Sequence, residues 1–371
     1  PLLIQLKGAV VFTASEQKLE PHFEADASRM TIEELDEMSS TEPTLISDDN
    51  AEIDEFKQSH LSPIEIKQYL ISKGVLAFAR PGSSDFGTMV GRNVGDESNY
   101  KPWIKNAFRP VSIIIATEHY NRMVRLVNKG VLVTMELDIN NSFYSEDLED
   151  YNVLAEIPGS DLDDEVVIIG AHLDGVLAAT GATDNAAGTL VAIEAMRILH
   201  ALDLQPRRTI RLGLWGAEEI GLLGSRGYVK KHLGTPETQQ YLPGHDKVSA
   251  FYNLDTGTGK IRGIWLQENK KVQPIFSEWL KPLHALGVTH LDPKNTDGTD
   301  HDSFDAVGVP GFTFIQDLIA YETRTTHSNM DNYDRLLEDD LIQAAIVMAS
   351  FAYHTAMRDE MLPRVLPASK R

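Results

Sequence analysis

The second half of the chain carries histidine and acidic side chains that follow runs of strand-forming residues. The blocks are His172-Leu173-Asp174, Asp184 to Gly188, Gly216 to Glu219, Asp255, and the loop Arg324 to Asp331, which contains His327. Imidazole nitrogens and carboxylate oxygens are donors that zinc accepts from proteins. Because the sequence has no cysteine, a metal ion would have to be held by histidine, aspartate and glutamate. These blocks therefore indicate a metal centre.

Each of these side chains also has an ordinary structural explanation. His172 alone could be a buried histidine with satisfied hydrogen bonds, and Asp184 could be a helix N-cap. The adjacent Glu218 and Glu219 could complement the dipole of the helix that follows them. Asp255 could begin a turn, and His327 could lie exposed. The metal centre is favoured because all of them fall at strand ends on the same edge of the predicted sheet.

Strands and helices alternate around these blocks. The predicted strands are Val166 to Ile169, Thr209 to Trp215, Val248 to Leu254 and Gly311 to Ile315. The predicted helices are Gly188 to Leu202, one containing Tyr228, Pro274 to Leu286 and Asp339 to His354. This alternation predicts an α/β fold with a mixed, largely parallel sheet covered by helices on both faces. Functional groups collect at the carboxyl ends of the strands in such sheets.

The residues before this region predict a smaller α+β domain. Its strands are Ala9 to Phe12, Val75 to Phe78, Val111 to Ile115 and Val131 to Leu137, and its helices are Ile64 to Lys73 and Glu118 to Asn128. Polar and acidic residues from Asn140 to Asp150 mark the connection, so we predict domains at 1–139 and 140–371. The stretch from Glu20 to Lys57 has thirteen acidic and two basic residues, which is typical of a solvated surface insertion.

Length and charge limit the possible functions. A chain of 371 residues is long enough for two domains. The formal net charge of -21 argues against nucleic acid as a partner, because that binding depends on basic residues that neutralise phosphates. No apolar run approaches the roughly 20 residues that span a bilayer, so no membrane span is predicted. The chain opens at Pro1 on an apolar run, which suggests that upstream residues were removed, and its oligomeric state cannot be predicted.

Taken together, the blocks resemble the M28 family of zinc peptidases. His-x-Asp at 172–174, Asp-Asn-Ala-Ala-Gly at 184–188, Glu-Glu-x-Gly-Leu-Leu-Gly-Ser at 218–225, Asn-Leu-Asp at 253–255 and His327 occur in the family's order. Within the family they look most similar to the carboxypeptidase Q-like proteins. The resemblance implies an aminopeptidase or dipeptidase that hydrolyses peptide bonds at the ends of short peptides, and a secreted or periplasmic location.

The resemblance also implies two zinc ions. Asp184 would bridge them, since a carboxylate has two oxygens for two ions about 3.5 to 4 Å apart. His172 and Asp255 would complete the protein shell of one ion, and Glu219 and His327 that of the other. The assignment of His172 and Asp255 to individual ions is left open.

The remaining family roles concern proton transfer and orientation. Glu218 would be the general base that takes a proton from a metal-bridging water, leaving a hydroxide to attack the peptide. Asp174 would lie behind His172 and fix its tautomer. Successive side chains on a helix diverge by about 100°, so Glu218 and Glu219 can face different partners.

Two positions differ from the family pattern or extend it. Several members have a tyrosine just before the last histidine that stabilises the oxyanion, whereas this chain has Thr326. Tyr321, a few residues upstream, or the zinc ions alone would then serve. The block Gly298 to His301 resembles the family's Gly-Ser-Asp-His, and we expect it to cap and shape the pocket wall rather than supply a ligand.

The first domain resembles the protease-associated domain that many such peptidases carry. As such a domain it would form a lid that restricts access to short or unfolded chain ends, with Val131 to Leu137 as its return strand. Two alternatives to a two-zinc peptidase remain: a glutaminyl cyclase-like enzyme with one zinc, and a non-catalytic receptor module on the same scaffold. The presence of all five ligand residues favours the peptidase.

Overall fold

The computed structural model describes residues 6–40, 62–82, 84–91, 109–142, 146–176, 178–238 and 240–365. The chain divides into two compact units. The larger unit comprises Ala25–Glu42, Leu148–Thr326 and Asp331–Arg371, and the smaller unit comprises Pro1–Glu24, Pro43–Asp147 and His327–Met330. Residues 25–40, which precede the predicted second domain in sequence, therefore belong to the larger unit.

The elements of the described residues are as follows. The strands are β1 (Val10–Phe12), β2 (Ala77–Pro81), β3 (Ser112–Ile115), β4 (Val153–Ile157), β5 (Leu162–His172), β6 (Arg208–Trp215), β7 (Gly234–Thr235), β8 (Gln240–Tyr241), β9 (Val248–Asn253), β10 (Ile261–Trp265), β11 (His290–Asp292) and β12 (Gly311–Gln316). The α-helices are α1 (Ile32–Ser40), α2 (Pro63–Ser72), α3 (Thr117–Asn128), α4 (Ala187–Ala201), α5 (Leu223–His232), α6 (Gln273–Leu280), α7 (His301–Asp305) and α8 (Glu338–Met357).

The smaller unit contains the parallel sheet β1-β2-β3 and helices α2 and α3. Helix α2 begins at Pro63, one residue before the predicted start, because Ser62 and Glu65 form a capping box and Pro63 occupies the first turn. The predicted strand from Val131 to Leu137 is wrong. That segment has no strand pairing, and Leu132 is 89% exposed, so its apolar composition does not reflect burial in a sheet.

The larger unit is built on a seven-stranded sheet in the order β11-β10-β12-β9-β5-β6-β4. Strands β12, β9, β5 and β6 run parallel, whereas β4 pairs antiparallel with β6 and β10 antiparallel with β12. The predicted α/β fold with a mixed, largely parallel sheet is therefore confirmed. Strands β4, β10 and β11 were not predicted, since β4 is an exposed edge strand and β11 has only three residues.

Helices cover both faces of this sheet. Along β5, Val167 and Ile169 belong to one apolar core and Val166 and Ile168 to another, as expected for side chains that alternate between the faces of a strand. The first core includes residues of α4, α6 and α8, and the second includes residues of α5 and α7. No helix in the described part of the chain is long and apolar enough to cross a membrane.

Candidate metal centre

The carboxyl end of β5 places His172 in the interior, where the residue is only 1% exposed. Its Nδ1 lies 3.0 Å from the backbone oxygen of Asp174. A carbonyl only accepts hydrogen bonds, so Nδ1 carries a proton, and Nε2 is the nitrogen that can bind a metal ion once it is deprotonated. Nε2 lies 3.0 Å from Asp255 Oδ1 and 3.2 Å from Asp184 Oδ1. The imidazole thus presents a metal-binding nitrogen to two carboxylates.

Asp184 lies in the irregular turn Ala182–Ala186, and the peptide bond that follows it is cis. The carboxylate of Asp331 supports this turn from behind. It accepts hydrogen bonds from the backbone N–H groups of Thr183 at 2.7 Å and Asp184 at 3.0 Å. Asp331 is only 3% exposed. The sequence analysis assigned no role to Asp331. The only feature of the sequence that could have indicated one is its position, four residues after His327.

The rest of the Asp-Asn-Ala-Ala-Gly block secures the start of α4. The side chain of Asn185 donates to the backbone oxygen of Leu254 at 2.9 Å and accepts from the N–H of Gly188 at 2.9 Å. A Cβ atom on Gly188 would lie 2.4 Å from Asn185 Oδ1 and from the oxygen of Leu254. Only glycine fits at this position.

Asp174 holds the two consecutive glutamates after β6. Its carboxylate accepts the backbone N–H of Glu218 at 3.0 Å and that of Glu219 at 3.1 Å, and Oδ1 lies 3.4 Å from His172 Nδ1. The preceding residue, Ala217, has a left-handed φ of 54°, which is uncommon away from glycine and is often found at functional sites. Asp174 therefore acts on both glutamates as well as on the histidine.

Among the described residues, three groups of three side chains have ligand atoms within 4.8 Å of one another, as a metal ion requires. The groups are His172, Asp184 and Asp255; Asp184, Glu219 and His327; and His172, Glu218 and Glu219. The first two groups share Asp184 and together contain all five side chains that the sequence analysis selected as ligands. The third group brings Glu218 next to them.

Burial and the crowded carboxylates shift the pKa values of the centre. Burial, followed by the negative charge of Asp255, raises the pKa of Glu218 to about 9. Burial opposes protonation of His172, but the neighbouring carboxylates, Asp255 first, raise the pKa of its imidazole well above the usual value. Burial and the charges of Asp255 and Asp184 raise the pKa of the Tyr321 phenol well above 10. The negative charge of two proposed ligands therefore acts on the Tyr321 phenol.

The Gly298 to His301 block contributes buried polar residues instead of a member of these groups. Asp300 is fully buried, and burial raises the pKa of its carboxyl to about 7. The ring of His301 donates from Nε2 to the backbone oxygen of Thr296 at 3.0 Å. The side chain of Asn253, at the end of β9, donates to Thr299 Oγ1 at 2.9 Å.

This set of donors matches the chemistry of zinc, which accepts imidazole nitrogen and carboxylate oxygen and is commonly bound by a mixture of the two. An α/β domain that gathers such donors at its strand ends has the construction of a metal-dependent hydrolase. Residues 152–352, more than half of the chain, match the model of peptidase family M28. The chain belongs to this family, as its motifs predicted.

Similar proteins agree with this assignment. The chain is 33% identical over 250 residues to carboxypeptidase Q of Mus musculus, covering 67% of this chain and 51% of that protein. It is 31% identical over 250 residues to the Homo sapiens carboxypeptidase Q, with 67% and 50% covered. The chain thus spans about half the length of the curated relatives it matches.

Two solved structures have a similar fold. The peptidase M28 precursor from Shewanella amazonensis is 27% identical with a TM-score of 0.60, and 80% of this chain and 63% of that chain are covered. A zinc aminopeptidase from Bacillus subtilis is 18% identical with a TM-score of 0.52, and 83% and 71% are covered. At 18% identity the second similarity concerns the fold alone.

Proposed function

We propose that this protein is a zinc-dependent exopeptidase, an aminopeptidase or dipeptidase, that hydrolyses peptide bonds at the ends of short peptides. One observation carries the proposal: two groups of three metal-binding side chains share the single carboxylate of Asp184. A pair of ions needs such a shared ligand. Membership of a peptidase family, and relatives named carboxypeptidase Q, support peptide hydrolysis.

Two zinc ions would be held by these two groups. His172, Asp184 and Asp255 would hold one ion, and Asp184, Glu219 and His327 the other. When bound, the ions would supply positive charge that acidifies water and polarises the peptide carbonyl.

Glu218 is the proposed general base. Its side chain is buried, and Asp174 holds its backbone beside the centre. It would take a proton from the attacking water and deliver it to the nitrogen of the leaving amine. In the metal-free protein burial and then the charge of Asp255 raise its pKa, and the positive charge of bound ions would favour the ionised carboxylate that accepts this proton.

Tyr321 is the proposed oxyanion donor. Its phenol keeps its proton at any physiological pH, since burial and the adjacent carboxylates raise its pKa, so it can donate a hydrogen bond to the developing oxyanion. Thr326, which stands where several family members have tyrosine, donates from Oγ1 to the backbone oxygen of Tyr321 at 2.9 Å. Thr326 would therefore support the turn that carries the working tyrosine.

The broader proposals rest on the family. The partner would be a short peptide, and the location would be secreted or periplasmic. The smaller unit would be a protease-associated domain; this assignment, the 139/140 boundary and the lid role stay predictions, and the acidic stretch lies partly outside the described residues.

Metal content measured together with turnover tests the proposal. The zinc-loaded protein should contain two zinc per chain and hydrolyse dipeptides, and chelation should abolish hydrolysis until zinc is restored. Glu218→Gln should keep both ions and lose several orders of magnitude in kcat, whereas Asp184→Ala should lose zinc as well as activity. One zinc per chain in the wild type would favour the cyclase-like alternative. Two zinc ions with no peptide hydrolysis would favour the receptor alternative.

A further inference from the structure

Residues 26–30, which we term the strap, bind the segment that leads into Tyr321, although they lie outside the part of the chain that matches the family model. Ser28 and Ile319 form an antiparallel bridge, and each donates its backbone N–H to the carbonyl oxygen of the other, at 3.0 and 3.1 Å. Ile319 has a left-handed φ of 53°, which is unfavourable for a β-branched residue and persists only where the surroundings hold it. The strap supplies such a contact two residues before Tyr321.

The strap also binds the far end of the turn Tyr321–Thr325. The carboxylate of Asp26 accepts from Arg324 Nε at 2.9 Å and from Nη2 at 2.8 Å, and Arg324 is only 7% exposed. The backbone oxygen of Asp26 accepts from Thr323 Oγ1 at 2.9 Å. Two charge-assisted hydrogen bonds from a planar guanidinium constrain direction as well as distance. The tyrosine therefore lies between two points at which the strap holds the chain.

Buried carboxylates anchor the strap to the rest of the larger unit. Arg29 donates to Asp340 at 2.7 Å and to Asp317 at 3.1 Å, and both acids are at most 2% exposed. Asp317 also accepts the backbone N–H of Met30 at 3.0 Å and a hydrogen bond from Arg262 at 2.8 Å. Separating a deeply buried carboxylate from its charged partner is costly, so these bonds favour one position of the strap.

On its other side the turn adjoins residues next to two proposed metal ligands. Thr325 Oγ1 accepts from Thr183, the residue before the bridging carboxylate, at 2.8 Å. The ring of Tyr321 packs against Gly257, two residues after Asp255, where an added Cβ atom would lie 2.9 Å from the ring. The turn is thus held by the strap on one side and by backbone of the metal centre on the other. A displaced strap would move the tyrosine relative to the ligands.

We infer that the strap is a positioning element for the reaction: Asp26 and Ser28 act through the turn to hold the Tyr321 phenol where the oxyanion forms. The inference rests on the proposed function, in which Tyr321 is the oxyanion donor. Such a donor acts because it is in place before the charge develops, and a displacement of about 1 Å can cost about 100-fold in rate. Neither strap residue is a ligand or touches substrate, so their loss should lower kcat rather than alter KM or zinc content.

The test compares Asp26→Ala with Asp161→Ala in the zinc-loaded protein, with Leu-Ala as the substrate. Asp161 is the matched control, because its carboxylate accepts from Nε and Nη2 of Arg207, at 3.0 and 2.8 Å, and it lies just before β5, at the opposite end of that strand from His172. Asp26→Ala should lower kcat by about 10- to 100-fold, with KM and zinc content within about twofold of the wild type. Asp161→Ala should match the wild type in all three.

Combining each substitution with Tyr321→Phe separates a positioning role from a general structural one. If Asp26 acts through the phenol, Tyr321→Phe already forfeits that benefit, and Asp26→Ala should lower the remaining kcat by less than about twofold. Losses that multiply in the double variant would overturn the inference. So would a kcat of Asp26→Ala equal to that of the control, or a loss of activity that parallels a loss of zinc.

The same measurements distinguish this inference from the proposed function. No hydrolysis of any dipeptide by the zinc-loaded wild type would refute the proposed function itself. An undiminished kcat in Tyr321→Phe would refute its oxyanion step and this inference with it. A low kcat in Tyr321→Phe together with a normal kcat in Asp26→Ala would leave the proposed function standing and refute the role of the strap alone.

Ser28→Pro tests the bridge separately and carries the comparison if Asp26→Ala fails to fold. Proline lacks the backbone N–H that Ser28 donates to Ile319, whereas Ser28→Ala keeps it and is the matched variant. Ser28→Pro should have a kcat about tenfold or more below that of Ser28→Ala, with the same zinc content. Equal kcat values in the two variants would show that the bridge does not position the tyrosine.

Binding gives a second readout that needs no turnover. A phosphinic analogue of Leu-Ala has a tetrahedral centre that resembles the transition state, whereas free leucine is a product without one. In calorimetric titrations of the zinc-loaded protein, Asp26→Ala should weaken binding of the analogue by about the factor lost in kcat and leave binding of leucine unchanged. Equal weakening of both ligands, or of neither, would contradict a role at the oxyanion.

Discussion

Replacing Asp174 with asparagine tests whether one carboxylate organises the metal centre. Asn has the same shape but presents one oxygen and one NH2 group. In the wild type the two oxygens accept the N–H groups of Glu218 and Glu219, at 3.0 and 3.1 Å. In Asp174→Asn one of these N–H groups must face another donor. The substitution therefore disturbs the backbone of a proposed base or a proposed ligand without removing either side chain.

The magnitude follows from the bond that is lost. A hydrogen bond to a charged group contributes about 1.5 to 3 kcal/mol. Since 1.4 kcal/mol corresponds to a factor of ten, a loss that falls wholly on the geometry of the centre predicts a decrease of about 10- to 100-fold in zinc affinity or in kcat/KM. A domain is typically stable by about 5 to 15 kcal/mol, so the variant should still fold.

Zinc affinity would be measured by competition with a chromophoric chelator, and kcat/KM with a dipeptide at saturating zinc. Asp163→Asn is the control, because Asp163 is an exposed carboxylate on the same strand, β5. The control should match the wild type in both measurements. If Asp174→Asn also stays within threefold of the wild type in both, Asp174 does not position the glutamates and this reasoning is refuted.

Three further predictions concern the proposed oxyanion donor, the ion pairs of Arg29 with Asp317 and Asp340, and the pH dependence of thermal stability. Tyr321→Phe should lower kcat by about 10²- to 10³-fold with little change in KM or zinc content, the cost of removing one oxyanion donor; an unchanged kcat in steady-state assays would leave that role to the metal ions alone. Arg29→Ala should destabilise the protein by about 1 to 3 kcal/mol in urea unfolding, because the buried carboxylate of Asp340 loses its charged donor while Asp317 keeps Arg262, and a change below 0.5 kcal/mol would show that the Arg29 ion pairs do not stabilise the fold. The raised pKa of Glu218, about 9, contributes stability to the metal-free protein that is present below pH 4.5 and lost as pH rises to about 9. The chelated protein should therefore have a lower Tm at pH 9 than at pH 6, and zinc should raise Tm more at pH 9; equal effects of zinc at both pH values would argue against metal and protons competing for the centre.

The sequence predicts the sheet and its functional edge because the central strands are long, apolar runs that end in ligand-type residues. It does not predict β4, whose residues are mostly exposed, or the irregular course of 131–137, where apolar residues are not buried. The hydrogen bonds that support the turns around the metal centre cannot be predicted from the sequence for a different reason. Asp331 accepts the N–H of Asp184, 147 positions away in sequence, and Asp26 accepts from Arg324, 298 positions away. Patterns of neighbouring residues therefore cannot indicate these contacts.

The geometry also explains why two consecutive glutamates would do different work. An ion held by His172, Glu218 and Glu219 would leave Asp255 beside Asp184 with no cation of its own, although two carboxylates in a buried site repel each other strongly. If the ions occupy the two groups that share Asp184, every ligand carboxylate is paired with a cation and Glu218 is not a ligand. Both glutamates lie in the turn before α5, where Asp174 accepts their backbone N–H groups, and Glu218 would be the carboxylate left to carry the proton.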